Sequence, residues 1–168
     1  MIFWRLLSFN DLSAEQLYEI MNLRQQVFMI EQQMNYLDAD GIDPHAKHLI
    51  GYPSSPASVP SHFGLSEVPC AYMRILGPNL KYPEVSFGRV LTPQEWRGKG
   101  MGKELLKKGL AEIENLYGPV PIRIAAETYL ERFYKGFGFK TVGEPYLNSG
   151  VSHVEMLKDP MNSTEAFE

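Results

Sequence analysis

Apolar residues along this chain change their spacing several times, and each change marks an element. Residues 2–9, within "MIFWRLLSF", alternate loosely among large apolar side chains and predict a first strand. Ser13 with Gln16 three residues on has capping-box spacing. Behind it Leu17, Ile20, Met21, Leu23, Val27 and Phe28 recur at helical spacing, so a helix is expected to about Glu31 or Gln32. The acids and turn residues of "NYLDADGIDPHAKH" read as an irregular loop. "HLIGY" reads as a second strand, and a proline- and serine-rich surface loop at 53–66 follows it. Third and fourth strands are expected at 68–76 and 84–92. A helix then carries Leu105, Leu106, Leu110, Ile113 and Leu116, closed by Gly118 and Pro119. Residues 120–127 read as a fifth strand and "TYLERFYKGF" as a short helix with Thr128 as its cap. Two last strands, 138–147 and 151–158, meet at the hairpin signal Asn148-Ser149-Gly150.

In this order helices interrupt a mainly antiparallel run that contains one βαβ unit at 84–127. The expectation is one α+β domain over residues 1–158, with a polar, disordered tail at 159–168.

Composition narrows the function more than the fold. A formal net charge of −4 argues against a nucleic-acid partner. The single cysteine, Cys70, excludes an internal disulfide and a zinc ribbon, and its apolar surroundings mark it as a small buried hydrophobe. Neither a secretory signal pattern nor an apolar run of membrane-spanning length is visible, so a cytoplasmic, reduced setting with no membrane partner is expected. An exposed edge strand leaves a homodimer open.

Candidate chemistry concentrates in "EWRGKGMGKELL", where Gly98, Gly100 and Gly102 alternate with Arg97, Lys99, Met101 and Lys103. This is not a phosphate-binding P-loop, since Gly102-Lys103 is followed by Glu104. It is not a dinucleotide fingerprint either, since the third glycine would fall at Lys103. What remains is a strand end, a tight loop and a helix N-terminus. Free amides, the helix dipole and flanking cations suit an anion there.

The pattern Arg97-x-x-Gly100-x-Gly102 after an apolar strand resembles the acyl-CoA pyrophosphate loop of the GNAT N-acetyltransferases. A second block, "YLERFYKGFGF", resembles the helix of that superfamily that ends in tyrosine, three residues and Gly-Phe, while "LRQQVFMIEQ" with "DADGIDPHAKHL" and the closing "GVSHVEM" resemble its ElaA-like branch. The resemblance spans about residues 2–158, with the blocks in register. It implies the GNAT fold, a central, mixed but mostly antiparallel, twisted sheet of about seven strands flanked by about four helices. It implies acetyl-CoA as co-substrate, an amine acceptor and no metal. Arg97–Lys103 would then hold the pyrophosphate, and Arg89, Val90 and Leu91 on the fourth strand would pair with the pantetheine arm. Tyr134 would be the general acid.

The chain departs from that pattern in two places. Glu127 stands where many members carry an asparagine that contacts the coenzyme arm, and the 53–66 loop is an insertion. Both leave room for an alternative, a catalytically silent acyl-CoA-binding module. Candidates for the base are Glu31, Asp38, Asp40, Asp43, His45, His48, Glu84 and His153, with Glu31 and His153 favoured for proton transfer or substrate binding. Arg24, Phe28, Glu31, Asp40 and His48 are candidate substrate contacts. The Asp40, Asp43, His45 and His48 spacing imitates metal ligands, but the implied chemistry needs no metal. The acidic loop would suit a cationic acceptor.

Overall fold

A computed structural model describes residues 1–54 and 68–160. Most of the 53–66 insertion and all but the start of the tail lie outside them. Strand β1 is Ile2–Ser8. Helix α1, Ala14–Arg24, begins with the predicted capping box, in which Ser13 and Gln16 satisfy each other's backbone. The helix continues to Glu31, but as a π-helix over Gln25–Glu31. The wider turn keeps Val27 and Phe28 buried.

Strands β2 (Lys47–Pro53), β3 (Ala71–Leu76) and β4 (Ser86–Leu91) follow β1 in an antiparallel sheet of order β1-β2-β3-β4. Helix α2 is Met101–Tyr117, capped C-terminally by Gly118. Then come β5 (Ile122–Glu127), the short α3 (Glu131–Lys135), β6 (Lys140–Asn148) and β7 (Val151–Lys158). The last three strands form a second antiparallel sheet, β5-β7-β6. Ser149 and Gly150, both at positive φ, make the two-residue turn between β6 and β7.

The seven expected strands are present, but split four and three rather than joined in one continuous sheet. Three α-helices are present among the described residues, the first lengthened by its π segment. Thr128 does not cap α3 through its side chain. It opens a short 3-10 turn, and its hydroxyl lies 2.7 Å from that of Ser152.

Burial explains why β2 and β3 read as nearly continuous apolar runs. One face, with Leu49, Met73 and Ile75, joins the cluster containing Leu105, Leu106 and Ile113 of α2. The other, with Ile50 and Tyr72, packs on Ile20, Leu23 and Phe28 of the first helix. At Gly109 the helix approaches so closely that an added Cβ would sit 2.4 Å from the Met73 sulfur.

Where the two sheets meet, the described backbone is bonded just ahead of β4 and at the start of β5. A parallel bridge joins Val85 to Ile122, and the Arg123 N–H donates to the Val85 carbonyl at 3.0 Å. Beyond it the strands separate. β4 also carries a bulge: Gly88 and Leu91 oppose Arg74 and Tyr72, so Arg89 and Val90 share the place across from Met73. Arg89 takes φ +52°, a left-handed conformation uncommon outside glycine.

Candidate functional site

The parting of β4 and β5 opens a cleft of about 780 Å³. Gly88, Arg89, Val90 and Leu91 form one wall, and Ile124, Ala125, Ala126 and Glu127 the other. The π-helix contributes Phe28 and Glu31, α3 contributes Tyr134 with Phe133, and β7 contributes His153. One end of the cleft carries Arg97 and Gly102 at the start of α2.

That end is built for an anion. Gly100 occupies the N-cap at φ +81°, and Gly98 sits at φ +73°. Met101 and Gly102, in the first turn, have no intrahelical acceptor for their amides. Arg97 donates from Nε to the Thr92 carbonyl at 2.9 Å and pairs with Glu31 at 2.8 Å. Lys99 leans away: its Nζ donates to the Glu95 carbonyl and lies over the Trp96 ring. Lys103 donates its backbone N–H to the Gly100 carbonyl.

Tyr134 is 6% exposed and packs against Phe87, Phe133 and Phe139. Its hydroxyl makes no hydrogen bond among the described residues. Burial, with the nearby Glu127 carboxylate, raises its pKa, so the phenol keeps its proton at neutral pH. Glu127 lies across the β5–β7 ladder from His153. The Glu127 carboxylate also pushes the Tyr129 hydroxyl, already raised by burial, up to about 12.

His153 is held on two sides. Its Nδ1 lies 2.8 Å from the Val151 carbonyl, which can only accept, so that nitrogen carries a proton and Nε2 is left with the lone pair in the neutral ring. Tyr146 stacks on the imidazole, ring centres 6.1 Å apart, and gives its hydroxyl to Glu155.

The structure thus gathers Phe28, Glu31, Arg89, Val90, Leu91, Arg97, Gly102, Glu127, Tyr134 and His153 around one cleft. Three candidate substrate contacts belong elsewhere. Arg24 is fully buried, donating from Nε to Asp38 at 2.7 Å and from Nη1 to Asp43 at 2.6 Å. Asp40 is bound by both terminal nitrogens of Arg74. His48 is fully buried with both ring nitrogens occupied, by the Tyr72 hydroxyl at 2.8 Å and the Asp43 carbonyl at 3.0 Å. It has neither access to a substrate nor a free nitrogen for a metal. Glu84, a candidate base, is tied to Arg123.

These pairs are parts of one network. Arg24, Arg74 and Arg89 face Asp38, Asp40 and Asp43, three charges against three. Arg89 reaches Asp38 from Nε at 2.7 Å and lies over the Tyr36 ring. The loop from Asp38 to Asp43 therefore anchors the bulge of β4 rather than presenting acids to a ligand. Sequence reasoning missed Tyr36, Lys81 and Tyr129, which also line the cleft. Tyr36 and Lys81 lie in no recognisable motif, and Tyr129, though it opens the block "YLERFYKGFGF", carries no signal of its own there.

Comparisons with known proteins agree with this architecture. The family description "Acetyltransferase (GNAT) domain" matches residues 80–160, from ahead of β4 to the end of β7. A UPF0039 protein of Synechocystis is 41% identical, over 92% of this chain and 93% of its own length. Protein ElaA of Escherichia coli is 32% identical over 95% and 97%, and its crystal structure superposes with a TM-score of 0.81, covering 95% of this chain and all of that one. A Pseudomonas aeruginosa structure described as an acyl-CoA N-acyltransferase gives a TM-score of 0.82 at 29% identity, covering 94% and 99%. With a splayed β4–β5 cleft, a glycine-capped α2 and full-length likeness to ElaA, the chain belongs to the ElaA-like branch of the GNAT acetyltransferase superfamily.

Proposed function

We propose that the chain transfers an acetyl group from acetyl-CoA to a primary amine, by direct attack within a ternary complex. The observation that carries this is the cleft itself, an unpaired β4 edge running from an anion-suited helix start to a buried, protonated Tyr134. The coenzyme pyrophosphate would lie on the Met101 and Gly102 amides with Arg97 beside it. The pantetheine amides would pair with the strand edge at Arg89–Leu91.

In the reaction the amine nitrogen bonds to the thioester carbonyl carbon. The carbonyl oxygen gathers negative charge, which a β4 backbone N–H at the bulge stabilises. The C–S bond then breaks, and the departing sulfur takes the Tyr134 proton. The amine gives up its own proton to His153 Nε2, directly or through water. Glu31 is the second candidate, but its pairing with Arg97 makes it the weaker one.

The competing reading is a domain that binds acyl-CoA without turnover, favoured by Glu127 on the cleft wall where an asparagine is usual. Thiol release from acetyl-CoA across an amine panel, beside calorimetry with CoA, separates the two. Tyr134→Phe is expected to cut turnover about 10²-fold or more and to leave the CoA Kd within about twofold, because the phenol acts on the leaving sulfur. Absence of CoA binding at millimolar ligand overturns both readings. Binding without turnover on any amine leaves only the second.

A further inference from the structure

Within that acetyl-transfer reading, the charges in the cleft speak to the acceptor. The acids that made a cationic acceptor attractive are committed: Asp38, Asp40 and Asp43 are matched by three arginines. Two carboxylates line the cleft. Glu31 is held by Arg97, and Glu127 lies beside the Tyr129 hydroxyl. Besides Arg97, two cations line the cleft, Arg89 and Lys81. Arg89 commits Nε and Nη2 to Asp38 and Asp40, leaving Nη1 without a partner among the described residues. Lys81, on the loop ahead of β4, lines the same cleft and forms no ion pair among them.

Lys81 is exposed as a residue, and its ammonium lies over the Tyr82 ring, 5.2 Å from the ring centre. Partial desolvation of the ammonium lowers its pKa, the Glu155 carboxylate partly offsets this, and the charges of Arg89 and Arg74 lower it further. Glu155 accepts the hydroxyls of Tyr82 at 2.8 Å and Tyr146 at 3.2 Å through Oε1, while its buried Oε2 has no hydrogen-bond partner among the described residues, so Lys81 does not pair with it. An anion between Lys81 and Arg89 would gain two charge-assisted contacts and relieve the repulsion between them.

We propose that the acceptor amine carries a carboxylate, which is received by the Lys81 ammonium and the free Nη1 of Arg89 while the amine faces His153. The substrate class is then an amino acid or a similarly zwitterionic amine, not a polyamine. The bonds made and broken are those of the acetyl transfer above.

The test compares free amino acids with their carboxamides, which differ only in that charge. Thiol release from acetyl-CoA is measured for both with the unaltered protein, Lys81→Met and Lys81→Arg. The free acids are expected to lead in kcat/KM by tenfold or more. The lead should shrink toward one in Lys81→Met, mainly through KM, and return in Lys81→Arg. Carboxamides used as well as the acids, or both classes slowed alike in Lys81→Met, would overturn the proposal and leave acetyl transfer standing. Titration of N-acetyl amino acids and their amides into the CoA-bound protein gives a readout independent of turnover. Tenfold tighter, Lys81-dependent binding of the acids supports the carboxylate site even if no amine is acetylated. Equal binding of the two overturns it.

Discussion

Arg97 is gripped at both ends of its guanidinium, by the Thr92 carbonyl and the Glu31 carboxylate, yet its side chain is 41% exposed. An exposed pair of that kind contributes about 0.2–1 kcal/mol, so its loss hardly affects folding. A pyrophosphate contact is stronger, about 1.5–3 kcal/mol for a charged hydrogen bond. Arg97→Ala is therefore expected to weaken CoA binding roughly tenfold to a hundredfold while the thermal midpoint stays nearly unchanged. Calorimetry and a melting curve on the same sample check both halves. A midpoint that falls with the affinity would mean that the arginine supports the loop rather than the ligand. Lys99, its neighbour in the motif, is expected to matter less, since it lies over Trp96.

Elements whose ends are written locally were legible in the sequence. Ser13 and Gln16 announced the start of α1, Gly118 its counterpart at the end of α2, and Ser149-Gly150 the last turn. Which candidates line the cleft was legible where they sit inside a motif, as at Tyr134 and His153. It was not legible where distant segments meet. Nothing near Arg24 says that its partners are Asp38 and Asp43, and nothing near Arg89 predicts a left-handed residue in a strand. The helical repeat through Val27 and Phe28 could not reveal a π-helix, because the wider turn buries the same two side chains. His48 and Asp40 misled as candidate substrate contacts for this reason: each has a partner on β3, Tyr72 and Arg74. Arg24 joins the first helix to that loop, so its removal tests the joint. Arg24→Met leaves Asp38 and Asp43 buried with less counter-charge and is expected to cost about 3–5 kcal/mol in urea unfolding. A loss below about 1 kcal/mol would place the pair among surface contacts.

At the scale of the whole molecule, these buried groups set the response to acid. Burial holds the His48 pKa below its ordinary value. The unfolded chain therefore binds the proton more readily, and stability declines as pH falls below about 6.5. Burial opposes ionisation of Asp40 and Asp43, yet Arg74 holds Asp40, and Arg24 with Arg74 hold Asp43, below the usual carboxylate range. Their contribution is present above about pH 4 and is lost on further acidification. Urea midpoints between pH 8 and pH 3 are expected to fall in two stages, with the upper stage flattened in His48→Gln. A flat profile between pH 7 and pH 5 would count against the buried neutral imidazole. None of the described helices is long and apolar enough to cross a membrane. The same network, three arginines against three aspartates drawn from the first helix, one loop and two strands, also limits how the sequence can drift. A change at one member strands a charge in the interior, whereas joint replacement of an opposed pair by apolar residues need not. Variation at positions 24, 38, 43 and 74 should therefore be inherited in sets, and a library that alters them singly will find fewer folded members than one that alters them together.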